Sequence, residues 1–469
     1  MPARIRLLLA AAIVALSAFG GVAYAGHARA DTSIVTDRPI ADLDLTAFTG
    51  SSDTDKRVIE TAYEQVEHSY YQSVNAQRLV DGETKALNCL ITGCLKHPKA
   101  LAGGPLTPGR ATGSPDHDLA LIESTVDAVT QHYPQAGSKT LVTDVAVGGM
   151  LGGLGDPYTT YLSQDAIRAL DEELKGGNFG GIGVYIGKDP KTGTVLVSPI
   201  EGNPAIRAGV RTGDAIVAVD GRPTAGMSLD DIERRIRGPR GTIVALLVKR
   251  HSGNVLATIH VTREVVHVPS VYASIENGFS YVRLSDFGES SADEVRGAFL
   301  AAKKRGVKGY ILDLRNNGGG LLDAAVDISS LVIHEGTIVS TIDRAGDREV
   351  RTATGNAIDP LPLVVLVNKY TASASEITAG ALQDDHLATI VGTRTFGKGV
   401  VQSLYTLPAR GALKITTARY VTPDGRDIQH RGILPDVLVD QAVDEPIIDT
   451  PADKQLAEAK AILRQKDQQ

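Results

Sequence analysis

The order of apolar and polar positions divides the chain into three textures. From about Lys56 to Tyr71, the residues Val58, Ala62, Tyr63, Val66 and Tyr70 recur at helical spacing. Leu119, Leu121, Ile122, Val126 and Val129 repeat that pattern further on. Between the two stretches, residues 102–117 are rich in Gly, Pro, Thr and Ser and read as a linker. YQSVNAQRLV (71–80) faintly echoes YPQAGSKTLV (133–142), each following an amphipathic helix. The echo reads either as a duplicated helical hairpin or as coincidence. A turn at Gly155-Asp156-Pro157-Tyr158 closes this helical part.

A glycine cluster (Gly176, Gly177, Gly180, Gly181, Gly183) opens the second texture. Short strands are expected over 182–187 and 194–198, then a short helix over 204–209 closed by glycine. A strand over 214–219, a helix over 229–236 and a strand over 243–250 complete a compact, partly open β-domain. After about residue 265 strands and helices alternate. Strands are predicted over 279–284, 307–314, 363–367 and 388–392, and helices over 291–304, 321–331 and 373–382. Such alternation predicts an α/β core. The stretch from Glu445 to Gln469 is polar and is expected to end in a loose helix.

Ahead of all this, Arg4 and Arg6 precede an uncharged apolar run from Leu7 to about Ala25. Small residues follow at Ala23-Tyr24-Ala25 and at Ala28-Arg29-Ala30 before Asp31. Residues 1–30 therefore read as an export signal, with an uncleaved anchor as the alternative. The expected location is the periplasm or cell envelope of a bacterium. Two cysteines cannot build a disulfide framework or a thiolate metal site alone, but export would permit a small-loop disulfide between Cys89 and Cys94. The net charge of −7 on 469 residues gives no global pull toward nucleic acid or anionic lipid.

Three segments of the expected core carry chemistry. Asp313-Leu314-Arg315-Asn316-Asn317-Gly318-Gly319-Gly320 follows a buried strand, and its glycines allow backbone N–H groups to face an anion. The bland reading is a flexible turn; the Lys-Ser/Thr ending of a phosphate loop is missing. Thr371-Ala372-Ser373-Ala374-Ser375-Glu376 puts a hydroxyl at a strand-to-helix turn, near orphan helix amides. The bland reading there is a capping box of Ser373 and Glu376. Phe396-Gly397-Lys398-Gly399 sets a lysine between glycines, either as a general base if desolvated or as a surface lysine in a hairpin. The histidines, His386 and His430 included, form no metal-binding His-Glu-x-x-His motif, which favours Ser-Lys chemistry over metal hydrolysis.

Eight pieces in one order resemble the carboxyl-terminal processing, or tail-specific, serine proteases of peptidase family S41. They are GDPYTTYL (155–162), FGGIGVYIG (179–187), AGVRTGDAIVAVDG (208–221), IRGPRGT (236–242), KGYILDLRNNGGGLL (308–322), TASASEITAGALQDD (371–385), FGKGVVQ (396–402) and LKITTARYVTPDGRDIQHRGILPD (413–436). The resemblance implies a mixed α/β protease core with an inserted PDZ-like β-domain and an N-terminal helical region. The expected division is 1–30 signal, 31–117 helical region and linker, 118–172 helical part of the protease unit, 173–264 PDZ-like domain, 265–440 core and 441–469 polar tail.

Carried over by motif, the resemblance makes Ser373 the nucleophile, Lys398 its base and Gln402 the residue that orients the base. Backbone amides of Gly319 and Ala374 become the oxyanion donors, and Glu376 a supporting acid. The family usually has Asn-Pro-Gly-Gly where this chain has Asn317-Gly318-Gly319-Gly320. In the PDZ-like domain Phe179, Gly180, Gly181, Ile182, Gly183 and Val184 would form the carboxylate loop and edge strand that bind a substrate C-terminus. A dinucleotide fingerprint fits that loop poorly, because the next glycine after Gly183 falls at Gly187, one position late. Arg237 is the expected gate residue, with Arg240 beside it. The implied partners are polypeptide C-terminal tails, with an adaptor and a homodimer through the N-terminal helices as further options. No metal or cofactor is implied. The rival readings are a catalytically silent PDZ-bearing scaffold and an esterase or non-peptide amidase.

Overall fold

A computed structural model describes residues 52–92, 106–133, 136–167, 170, 179–189, 192–200, 202–250, 255–266, 268–407, 410–441 and 452–468. The export segment and Cys94 lie outside the described residues. Among those described, no helix is long and apolar enough to cross a membrane.

The core is a six-stranded sheet. Its spatial order is Val271–Glu276, Phe279–Leu284, Tyr310–Asp313, Leu363–Val367, Ala388–Gly392 and Val437–Leu438. The first pair is antiparallel and every later neighbour is parallel. Parallel strands need cover on both faces, which explains the unbroken apolar run at 363–367. Leu363, Val365 and Val367 pack with the helices Ser291–Lys304, Leu322–Ser329 and Ala374–Asp384. Val364 and Leu366 face the other way, toward Leu456, Ala459 and Leu463. Those three residues belong to the helix Lys454–Asp467. The polar C-terminal segment is therefore no loose tail: a narrow apolar stripe at 3- and 4-residue spacing covers one face of the sheet.

A second sheet of five strands holds Thr160–Leu162, Ala412–Val421, Thr337–Ile342 and Arg348–Thr352, with Val400–Thr406 paired to Ala412–Val421. The first of these strands comes from the end of the N-terminal part, so that part is joined to the core by sheet pairing. The N-terminal helices Ser52–Ser69, Ala76–Thr92, Pro115–His132 and Lys139–Gly153 share one apolar cluster with Leu407, Leu413 and Ile415 of the core. The two echoing segments fall at the first and third of the three helix-to-helix connections of this bundle. The expected linker is pinned where it is described. Asn88 exchanges hydrogen bonds with the Leu106 backbone, Gln77 holds Gly109 and Ala111, and Asp118 accepts from the Thr112 and Gly113 amides.

Glu83, on the helix Ala76–Thr92, is fully enclosed in that bundle. Its Oε2 accepts from the Thr84 hydroxyl at 3.1 Å and its Oε1 has no partner. Burial pushes the carboxyl up from 4.5 to about 8. A raised carboxyl pKa means that the folded state prefers the proton, so the penalty is absent below pH 4.5 and grows until about pH 8. Glu83→Gln should therefore stabilise the fold at pH 8, by about 2–4 kcal/mol at most, and much less at pH 5. Thermal unfolding at the two pH values checks this; an equal effect at both would contradict it.

The β-domain has a sheet in the order Val184–Lys188, Val195–Pro199, Asp214–Val219, Ile243–Lys249 and Leu256–Thr262, with Arg222–Pro223 paired to the third strand. The helix Leu229–Ile236 closes its core. A separate short ladder pairs Phe179–Gly181 with Glu264–Val266, bringing the entry and exit of the domain together.

Candidate active site

The strand Leu363–Val367 ends in a tight turn before the helix Ala374–Asp384, and Ser373 is the cap between them. Its backbone is left-handed, φ 59° and ψ −120°, a conformation that costs a non-glycine residue about 1–3 kcal/mol. The turn is imposed from several sides. The Thr371 hydroxyl donates to the Leu314 carbonyl at 2.8 Å, and the Ala372 amide donates to the Asn317 carbonyl at 3.0 Å. The Ser373 hydroxyl is fully buried and makes no hydrogen bond. The expected capping box of Ser373 and Glu376 is present but loose on one side: Glu376 accepts from the Ser373 amide at 2.9 Å, while the serine oxygen faces the Glu376 amide without completing a hydrogen bond.

Glu376 joins this turn to the lysine loop. One carboxylate oxygen, Oε2, accepts from the Ser373 amide and the Lys398 amide, both at 2.9 Å. The other, Oε1, accepts from the Gly397 amide at 2.7 Å and from the Thr395 hydroxyl. Burial pushes the Glu376 carboxyl above its ordinary range, and the four donors partly offset that. Tyr420 adds a second stitch: its hydroxyl lies within hydrogen-bonding range of the Ser373 carbonyl at 3.1 Å and of the Lys398 carbonyl. Two residues far apart in sequence are thereby held on adjoining backbones.

Lys398 is fully buried, and its Nζ lies 4.8 Å from the centre of the Tyr158 ring. Gln402 is also fully buried, and its Nε2 reaches the Thr416 hydroxyl at 3.4 Å. Full burial withdraws water from an ammonium and favours the neutral amine, whereas the aromatic face favours the cation. Because the Ser373 hydroxyl has no partner, a serine–lysine hydrogen bond is not formed in this structure.

The glycine loop lies against the serine turn. Gly319 has φ +107°, and a Cβ there would sit 2.8 Å from the Ser373 Cβ, so no side chain fits. The loop is anchored by an amide–carbonyl exchange in which Phe287 donates to Gly319 and Leu321 donates to Phe287. Both expected oxyanion donors are adjacent, but they differ. The Ala374 amide, first of its helix, has no acceptor among the described residues. The Gly319 amide donates to the Asn317 side-chain oxygen at 2.8 Å. Gly318 is not left-handed and a Cβ added there meets nothing within 4 Å, so unlike Gly319 it has room for a β-carbon.

Below this loop Arg315 is buried beside the sheet. Its guanidinium binds Asp313 and, at 2.8–2.9 Å, Asp453 at the start of the C-terminal helix; Gln455 accepts at 3.2 Å. Asp453 also caps the Leu456 amide. Sequence reasoning assigned no role to Arg315, Asp453, Tyr158, Thr416 or Tyr420. All but Asp453 lie in quoted motif pieces, so the motifs marked the place without the contacts.

In the β-domain, Gly183 has φ +70° and a Cβ there would overlap the Asn203 side chain, which explains one glycine of the expected carboxylate loop. The strand Val184–Lys188 is an edge of its sheet. Val184 and Ile186 pack toward the cluster that holds Ile232 and Ile236 of the neighbouring helix. The exposed Tyr185 reaches Tyr272 of the core sheet, hydroxyl to hydroxyl, at 3.3 Å. Arg237 caps the end of the helix and pairs with Glu233 at 2.6 Å. Cys89 is held in a disulfide, while Cys94 lies outside the described residues.

The comparisons with known proteins agree with the motif order. The model of peptidase family S41 matches residues 278–439, and a PDZ-domain model matches residues 195–250. A carboxyl-terminal-processing protease of Synechocystis sp. is 40% identical over 328 residues, 68% of this chain and 77% of that protein. The carboxy-terminal processing protease CtpA of Bacillus subtilis is 35% identical over 332 residues, 70% of each chain. Among solved structures, a photosystem II D1 C-terminal processing protease is 30% identical, with 87% of this chain and 100% of that one covered at a TM-score of 0.47. From the two sequence relatives and the two family models it follows that this chain belongs to peptidase family S41 and is a carboxyl-terminal-processing serine protease with a PDZ domain.

Proposed function

We propose that the chain is an endopeptidase of exported polypeptides that uses Ser373 as nucleophile and Lys398 as base. The observation that carries this reading is the single carboxylate oxygen of Glu376 accepting from both the Ser373 and Lys398 amides. It holds a nucleophile and an amine on neighbouring backbones beside an unoccupied helix amide. Neutral Lys398 takes the Ser373 proton as the oxygen attacks the scissile carbonyl. The tetrahedral oxyanion falls to the Ala374 amide, joined by the Gly319 amide once that leaves Asn317. Lys398 then gives the proton to the departing amine, and the same base activates the water that releases the acyl group. Ser373 and Lys398 are both fully buried, so a peptide reaches them only after surrounding chain moves.

The substrate's C-terminus is the recognition element. Its carboxylate would be held by amides of the loop 179–184, and its last residues would extend the edge strand Val184–Lys188. Arg237, one helix away, is the proposed gate. The domain limits 118–172, 173–264 and 265–440 are the units of this reading, and residues 1–30 supply export to the periplasm or cell envelope. Incubation with a tail peptide, as free acid and as C-terminal amide, tests it. The expected result is faster cleavage of the free acid, by about tenfold or more in kcat/KM, with the transient acyl adduct on the fragment containing Ser373. Equal turnover of acid and amide would remove the PDZ role, and an adduct elsewhere would remove Ser373.

A further inference from the structure

Gln402 is fully buried, and the two ends of its amide differ in what they offer: one donates, the other accepts. Which end is offered to the lysine, the partner that the motif implies for Gln402, is decided by what holds the other. Gln402 Nε2 lies 3.4 Å from the Thr416 hydroxyl oxygen. That hydroxyl is itself committed, because its proton goes to Asp156 Oδ2 at 2.6 Å. Asp156 lies in the turn before the strand Thr160–Leu162, 260 residues earlier in the chain. Its Oδ2 also accepts from the Thr159 hydroxyl at 2.7 Å, and its Oδ1 from the Tyr158 amide at 2.9 Å. A carboxylate only accepts, so the Thr416 oxygen is left with lone pairs for a donor. The opposite amide orientation would set two acceptors against each other.

We propose that Asp156 is a positioning residue for the base. Through Thr416 it fixes the Gln402 amide with its carbonyl end offered to the Lys398 amine, and through the Tyr158 amide it sets the ring that lies against Nζ. The device ties the N-terminal part to the catalytic lysine, and it rests on the reading of Lys398 as base. Thr159 completes it by accepting from the Thr416 amide at 3.0 Å, which keeps the threonine in register with the turn.

Steady-state cleavage of one tail peptide by the full chain tests this with four variants. Thr416→Val keeps the shape and removes the hydroxyl; kcat should fall about tenfold with KM unchanged. Thr416→Ser should recover most of the loss. Asp156→Asn puts an amide donor beside Thr416, frees its proton and should lower kcat similarly, at a half-exposed position where folding is less at risk. Wild-type kcat in Thr416→Val, a Thr416→Ser variant as impaired as valine, or a loss confined to KM would each overturn the proposal. Lys398→Met is the control: activity retained there overturns the base assignment itself, whereas activity lost there and retained in Thr416→Val and Asp156→Asn overturns only the relay.

Discussion

Ser373→Ala should abolish peptide cleavage, by at least about a thousandfold, and at the same time raise the melting temperature. The two effects have one cause. The serine hydroxyl is fully buried with no hydrogen-bond partner. A buried hydroxyl in that state costs the fold about 1–3 kcal/mol, and alanine removes the cost together with the nucleophile. The backbone remains clamped, because its amide and carbonyl contacts do not involve the side chain. Lys398→Met should lose activity on the same scale, since methionine keeps the length of the chain and discards the amine. Peptide hydrolysis and thermal unfolding read both quantities. A Ser373→Ala enzyme that still cleaves at a tenth of the normal rate would end the Ser-Lys reading. One that is inactive but less stable would mean that the hydroxyl is held by a partner after all.

Glu376→Ala should have the opposite signature, with activity and fold lost together. It strands four donors: the amides of Ser373, Gly397 and Lys398, and the Thr395 hydroxyl. Each unmet buried donor costs about 1–3 kcal/mol, so the total is comparable to the whole stability of a domain. The Tyr420 stitch to the Ser373 and Lys398 carbonyls would remain, but the strained φ at Ser373 loses one of its restraints. Glu376→Gln is the milder case. Its NH2 end can face Thr395, whose hydroxyl can turn to accept, but it still opposes the Gly397 amide. Folding should survive at a cost of about 1–3 kcal/mol, with kcat reduced. A Glu376→Ala protein that unfolds at the wild-type temperature would show that the carboxylate is dispensable to the turn.

Much of the core could be read from apolar periodicity. The strands at 214–219, 279–284, 363–367 and 388–392 and the helices at 229–236 and 291–304 stand where the pattern put them. These are elements whose burial is one-sided at a clear period, or complete. The second sheet was not legible. Thr337–Ile342, Val400–Thr406 and Ala412–Val421 carry buried Ser, Thr, Gln and Lys on their inner faces, and that breaks the apolar signal. Two of those buried polar residues, Gln402 and Thr416, are bonded to each other beside the proposed site. Gln402 and Thr416 lie on these strands, as does Tyr420. The helix Lys454–Asp467 reads as loose for a related reason: three buried apolar positions among fourteen residues leave the average polar. At the site the motifs located the expected nucleophile and base, but no spacing in the chain could announce a left-handed serine or a carboxylate shared between two loops. Both depend on contacts between segments distant in sequence.

The pairing of Arg315 with Asp453 carries an implication for cooperativity. These partners lie 138 residues apart, and Asp453 also caps the helix Lys454–Asp467. If that helix undocks, the guanidinium beneath the glycine loop loses the Asp453 carboxylate and keeps Asp313, and one face of the sheet loses Leu456, Ala459 and Leu463 as its cover. Glycine loop and distant helix should therefore open as one unit, with their amides exchanging hydrogen at a common rate.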